Sequence, residues 1–358
     1  MARLFYLGTV CLLCLLVACG GKTNSENEST GTVTPPAANQ AGIKLITYRY
    51  LVQDQEIVEA FEQKFGAQID VERLPISEII QKAQNNQLIG DVVMVPTLED
   101  ATRLKNFGRL QPFYVDAFAK GNVDDGYQDD EGYYAGLSRW TMAAIYNPNA
   151  VAIDEVRTYK GLAKLPARGI RLGLAHPDSS GLAATVAGIA RIVNDKGAAL
   201  WAKLLLEGAQ GGAYGSDYDQ LDRMLKGDLD IAFVSSGAAI RWFLNGDPDH
   251  FAAAEAWRVK YPRTETDQVN FFNMTSIGVL ANSPNRELAL RFINYLFQKE
   301  QQEKMGDAIF EYPNEAFSLT NDYLLGVFDT PGREINTNEL ESRLPLAWGI
   351  INRLATEN

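Results

Sequence analysis

Apolar residues recur at helical spacing through Ile57, Val58, Phe61 and Phe65, and Gly66 ends that helix. Strand-like segments flank it: Ile43 to Thr47 before, and Gln68 to Leu74, which alternates polar and apolar, after. Asp91 to Val95 reads as a buried strand, followed by a helix through Leu104. This order of strand, helix, strand, helix, strand predicts an α/β body with a largely parallel sheet. A second α/β unit follows. Ile170 to Ala175 predicts a strand, Asp178-Ser179-Ser180-Gly181 a capping segment, and Leu182, Val186, Ile189 and Val193 the helix behind it. Helices near Ala198 to Leu206 and Tyr218 to Leu225 lead to a buried strand, Leu229 to Val234. Ser235-Ser236-Gly237 then turns into a helix carrying Ile240, Trp242 and Phe243. Thr275 to Leu280 is another strand. Ser283 caps, and Pro284 opens, a helix whose inward stripe is Leu288, Ala289, Phe292, Ile293, Leu296 and Phe297.

The amino terminus has a different pattern. Arg3 precedes an apolar run from Leu4 to Ala18, short for a membrane span and suited to a signal peptide. It ends Leu16-Val17-Ala18-Cys19-Gly20, which resembles a lipobox, so residues 1–18 are expected to be removed and Cys19 lipidated. Each buried methylene of such a lipid contributes about 0.8 kcal/mol to anchoring. Residues 20–41, rich in Asn, Ser, Thr, Gly and Pro, read as a disordered tether, giving a lipidated Cys19 and linker over 19–42. The expected location is periplasmic or cell-surface, and Gly20 favours an outer membrane where the cell has one. The only cysteines are Cys11, Cys14 and Cys19, so the mature chain has neither a disulfide nor a thiolate metal site.

Charge and motifs narrow the function. The formal net charge is -12, and losing Arg3 with the leader takes it to -13, which argues against nucleic acid. There are only two histidines, His176 and His250, and no H-E-x-x-H, G-x-S-x-G or P-loop, so the chain is not read as an enzyme. GAQGGAYG at 208–215 lacks phosphate-loop spacing and reads as a turn, and Asp124-Asp125 and Asp129-Asp130 read as a solvated loop.

Several segments together resemble one family, the periplasmic solute-binding proteins of the ferric-iron type. They are KLITYRYLVQDQEIVEAFEQKFGAQIDVERL, GDVVMVPTLEDATRLKNFGRLQPF, GLSRWTMAAIYNP, KGLAKLPARGIRLGLAHPDSSG, NMTSIGVLANSPNRELALRFINYLFQKEQQEKM and Glu311-Tyr312-Pro313. The likeness covers nearly all of residues 43–315. It implies a two-lobed type II periplasmic binding protein fold with two crossover strands, near Ala143 to Asn147 and Val269 to Thr275. Lobe one would be 43–142 plus 270–358, and lobe two 143–269. It implies a monomer that captures a small solute in the interlobe cleft and hands it to an ABC permease and its ATPase. The same fold serving a membrane-bound sensor is the alternative, and an exported enzyme a more distant one.

One departure bears on the ligand. Ferric-binding members hold iron mainly with two adjacent tyrosines after the lobe-two strand, a hard anionic pair suited to a hard cation. Here Asp230-Ile231-Ala232-Phe233-Val234 is followed by Ser235-Ser236-Gly237-Ala238, and the first loop, Tyr48-Arg49-Tyr50, has no histidine. Two readings stay open. Fe(III) is still the transported ligand, held by tyrosines such as Tyr48, Tyr50, Tyr214 or Tyr312; or the cleft takes an organic or inorganic anion. The second is preferred. Arg49 and Arg139 offer planar forks, and Ser179, Ser180, Gly181, Ser235 and Ser236 stand at helix starts whose N–H groups attract anions. Thr97, after the strand that ends at Val95, completes the expected lining. No resident cofactor is expected.

Overall fold

The computed structural model describes residues 41–177, 181–319, 324 and 337–357. The leader, Cys19, the tether before residue 41, Ser179 and Ser180 lie outside the described residues. Strand β1 (Gly42–Thr47) pairs in parallel with β2 (Gln68–Arg73) and with β3 (Val92–Val95). The crossovers are α1 (Val52–Phe65) and α2 (Ile76–Gln84), and α3 (Leu98–Asn106) leaves β3. Gly66 ends α1 at φ 62°, a left-handed position where a side chain would be strained. The short β4 (Leu110–Gln111) and α4 (Asp116–Ala119) then lead to β5 (Tyr134–Tyr146).

β5 crosses between the two lobes. The second lobe holds α5 (Tyr159–Lys164), β6 (Leu172–Leu174), α6 (Leu182–Ile192), α7 (Asp195–Gly208) and α8 (Asp217–Leu225). It continues through β7 (Ile231–Ser235), α9 (Ser236–Phe243), α10 (Pro248–Ala256) and β8 (Arg258–Lys260). β9 (Phe272–Leu280) returns to the first lobe, followed by α11 (Arg286–Leu296), α12 (Lys299–Ile309) and β10 (Tyr312–Pro313). The strands run in the order β2-β1-β3-β9-β5-β7-β6. Tyr134 to Thr141 pair with β9, and Met142 to Tyr146 pair with β7, so the changeover falls between Thr141 and Met142. That is just before the expected crossing at Ala143 to Asn147, which instead lies inside the second lobe's sheet. The sheet is also less parallel than expected. β3–β9, β5–β9 and β5–β7 are all antiparallel, because the two strands that link the lobes run against their neighbours.

The helix expected to open at Pro284 begins two residues later, at Arg286. Asp91 explains the delay. Its Oδ1 accepts from Ser283 Oγ at 2.6 Å and from Asn285 N at 3.0 Å, so the serine hydroxyl ties the turn to β3 instead of capping the helix.

Among the described residues the three larger of four apolar clusters hold the fold. One packs α1 against α11 around Phe61 and Phe292; another lies in the second lobe around Trp242. The third runs continuously from Ile79 and Leu98 through Trp140 to Val186 and Trp201. It ends on the helix Leu344–Glu357, where Leu344, Ala347, Ile350, Ile351 and Leu354 share one buried face. That helix, from the segment expected in lobe one, packs on α6 and α7.

The preceding helix, Thr337–Glu341, bridges both lobes by touching α3 and α6. Its Glu341 accepts from Tyr134 OH at 2.8 Å and from Lys105 Nζ at 3.2 Å. Lys105 also meets Asp129 at 2.6 Å and Glu131 at 2.8 Å. Asp129 is therefore a buried ion-pair partner, 5 % exposed, and not part of a solvated loop. Burial works against the charge on Lys105, but its bonds to Asp129 and Glu131 outweigh burial and hold its pKa above the usual lysine range. Lys105→Met is expected to cost about 2 kcal/mol by leaving Asp129 and Glu341 without their cation. A thermal melt should then fall by about 4 °C.

Candidate functional site

In sheets of this kind ligands meet the carboxyl ends of the strands. Tyr48 to Tyr50 leave β1, and Pro96 and Thr97 leave β3. The turn after β1 is locally built: Thr47 Oγ1 donates to Arg49 O at 2.6 Å and accepts from Arg49 N at 3.2 Å. This folds Tyr48 and Arg49 back onto the neighbouring strands. Tyr48 OH lies 3.3 Å from Thr275 Oγ1, which donates to Glu311 Oε2 at 2.8 Å. Ser138 Oγ donates to the same carboxylate oxygen at 2.6 Å. The register explains the convergence. Ser138 faces Thr275 across β5–β9 just after a bulge, and Pro313 pairs with Ser138, which brings Glu311 alongside.

Arg49 is the exceptional side chain here. It is 8 % exposed, its Nη2 stands 3.4 Å from Asp54 Oδ1, and its guanidinium lies 5.8 Å from the Tyr48 ring centre. Its Nε and Nη1 have no hydrogen-bond partner, although buried donors are almost always paired. Burial opposes its charge, but Tyr48, Asp54 and Glu311 together hold its pKa above the usual arginine value. Burial pushes the Tyr48 phenol up; Arg49 offsets part of this and Glu311 adds to it. Tyr50, half-buried, is pushed up by burial and then by Asp54, Glu59 and Glu62.

The other expected residues have contacts of their own. Thr97 caps α3, its hydroxyl accepting from Asp100 N at 3.1 Å and donating to Asp100 Oδ2 at 2.6 Å. Arg139 Nη1 donates to Tyr127 OH at 2.9 Å, and its guanidinium sits between the rings of Tyr127 and Phe272. Side chains alternate along a strand, so Arg139 is turned away from the face on which Ser138 meets Glu311. Ser235 gives both its N–H and its hydroxyl to Asp217 Oδ2, at 3.0 and 2.6 Å. Ser236 Oγ accepts from Thr141 N at 3.3 Å. Gly181 caps α6 at φ +60°, and a Cβ there would lie 2.5 Å from the Trp140 ring, so it marks a close approach between the lobes. Tyr312 is fully buried and its hydroxyl donates to Leu324 O at 2.9 Å. Tyr214 is 44 % exposed, with the Arg223 guanidinium 4.7 Å from its ring centre. The structure thus brings Tyr48 and Arg49 together and leaves Arg139, Tyr214 and Tyr312 out of that network. Among the described residues no group of three His, Cys, Asp or Glu side chains is placed to hold a metal ion.

Glu311, Thr275 and Ser138 are the members that sequence reasoning misses. The Glu311-Tyr312-Pro313 motif carries the signal, but chemistry drawn from ferric-ion binding selects its tyrosine and passes over its carboxylate. A cavity of about 1040 Å³ runs along α2, lined also by Asp100 and Arg103 of α3 and by His176 of the second lobe. None of the residues expected to bind ligand lines it, and charges there are mutually paired, as Lys82 with Glu78 at 3.4 Å. Arg49, with unpaired donors, is the stronger candidate.

A family model described as bacterial extracellular solute-binding protein matches residues 56–317. The curated "Iron uptake protein A1" of Synechocystis sp. is 23% identical over 301 residues, covering 84% of this chain and 81% of its own. The ferric binding protein from Campylobacter jejuni superposes with a TM-score of 0.78 at 19% identity, covering 87% of this chain and 99% of that one. The Trichodesmium protein IdiA (FutA), solved with iron and citrate, superposes at 0.76 with 21% identity, covering 88% and 99%. These likenesses show a two-lobed type II binding-protein fold.

Proposed function

The chain belongs to the family of bacterial extracellular solute-binding proteins, and on that footing we propose that it is the solute-capturing component of an ABC importer, taking a small carboxylate- or phosphate-bearing anion between its lobes. The observation that carries this choice of ligand is Arg49, whose buried Nε and Nη1 lack partners. Nε and Nη1 lie on different edges of the guanidinium, so each offers one charge-assisted hydrogen bond to a carboxylate or phosphate oxygen, and such bonds are strong when desolvated. Hinge closure around the anion would present the closed form to a permease and its ATPase.

Iron is the second reading, favoured by the names of the relatives. Bare Fe(III) needs hard anionic oxygens, and in the metal-free chain burial raises the pKa of the Tyr48, Tyr50 and Tyr312 phenols, so the ion would have to displace their protons on binding. A ferric chelate bearing carboxylates would meet Arg49 as an anion and reconciles the two readings.

We place the lobe boundaries at 142/143 and 269/270, with the helix Leu344–Glu357 riding on the second lobe. Cys19 carries the lipid that tethers a monomer at the periplasmic or cell-surface face of a membrane, and the chain performs no catalysis. The ligand reading is tested by a thermal-shift panel of phosphate, phosphonates, small carboxylates, polyamines and ferric chelates. A ligand at about 100 times its Kd stabilises by roughly 2.7 kcal/mol, a shift of several degrees. An anion that raises the melt in the parent chain supports it. A shift with bare ferric iron alone, accompanied by tyrosinate colour, would sink it.

A further inference from the structure

The first turn of α6 is met by a side chain from the other lobe. Glu99 of α3 is 3 % exposed, and its Oε1 accepts from Ala184 N at 2.7 Å. Its Oε2 accepts from Asn273 Nδ2 at 2.8 Å. Asn273 cannot turn over freely, because its Oδ1 already accepts from Leu98 N and Met274 N, each at 2.8 Å. One carboxylate therefore joins α3, the returning strand β9 and the start of α6. A negative charge at a helix N-terminus is favourable in itself. The seam around it is tight: Trp140 Nε1 donates to Pro96 O at 3.2 Å, and Gly181 packs against the Trp140 ring. Arg241 of α9 adds a second crossing by donating to Ile309 O.

We propose that Glu99 is an interlobe latch that holds the two lobes together and occupies the first turn of α6 with the protein's own carboxylate. The solute's anionic group is then left to Arg49, and opening the cleft requires Glu99 to leave Ala184. The latch joins the protein's own groups, so it stands or falls independently of which solute the cleft takes.

The three cysteines of the chain all precede residue 20, so replacing them with alanine leaves the folded body free for paired labels. Spin labels at the exposed positions Gln81→Cys and Lys226→Cys, one on each lobe, report the interlobe distance in the full chain without ligand. The parent should give one short, narrow distribution. Glu99→Ala should lengthen and broaden it by several ångströms. Glu99→Gln decides the matter, because it keeps the size of the side chain but sets its amide nitrogen against Asn273 Nδ2 or its donors against Ala184 N. A longer distance in Glu99→Gln is the expected result, and a distribution identical to the parent in that variant overturns the latch.

Discussion

Replacing Glu311 with alanine is expected to lower the unfolding free energy by about 3–5 kcal/mol, the cost of breaking a buried charged network by removing one partner. Glu311 is 5 % exposed and receives both Ser138 Oγ and Thr275 Oγ1 on a single oxygen. Alanine leaves those hydroxyls without their acceptor and leaves Arg49 with Asp54 as its remaining carboxylate nearby. Glu311→Gln retains a carbonyl oxygen for the hydroxyls, so its cost should be smaller, about 1–2 kcal/mol. Urea titrations of the three proteins measure the difference. A second readout fixes the sign of the electrostatics. Glu311 raises the pKa of the Tyr48 phenol, so either substitution should bring that phenol down toward its ordinary value, seen in an ultraviolet titration. A Glu311→Ala chain as stable as the parent would show that the network is not held together by this carboxylate.

The second large effect is expected at Gly237, and on closure more than on folding. A Cβ there would lie 2.8 Å from Ile309 O and 3.0 Å from Phe310 O, backbone atoms of the first lobe that cannot rotate aside. Gly237 sits near the start of α9, where alanine is intrinsically favoured over glycine by up to about 1 kcal/mol. The overlap arises only when the lobes meet, and overpacking of this kind costs about 1–3 kcal/mol. Gly237→Ala should therefore keep or slightly raise the stability of each lobe while weakening ligand binding roughly 10- to 100-fold. Calorimetric titration beside a thermal melt separates the two. Parental affinity in this variant would mean that the contact between α9 and Ile309 does not form in the liganded state.

Much of the fold is legible because it is local. The stripe Ile57, Val58, Phe61, Phe65 and the stop at Gly66 depend only on neighbours within one helix. Strand direction is not local, and the antiparallel centre of the sheet follows from where β5 and β9 return. Ser283 looks like a helix cap in sequence, yet Asp91, distant in the chain, takes its hydroxyl. Asp129 looks solvated until Lys105 is seen beside it. The face Leu344, Ala347, Ile351, Leu354 has helical spacing, but its partners on α6 and α7 cannot be read from spacing alone.

The site divides in the same way. Tyr48 and Arg49 are visible as polar residues at a strand end. Arg139 and Tyr312 look equally suited, and are separated from the network by strand alternation and by the Leu324 carbonyl. Glu311 is a site member only through its pairing across β10–β5, a relation between residues some 170 positions apart.

Calorimetric titration of the most stabilising anion into the parent and into Arg49→Ala tests the central claim most directly. The expected result is a loss of about 100-fold or more in affinity, near 2.7 kcal/mol, beside a lower melt of the parent fold, because Asp54 and Glu311 lose their buried cation. Parental affinity in Arg49→Ala would contradict it and move the ligand away from the turn after β1.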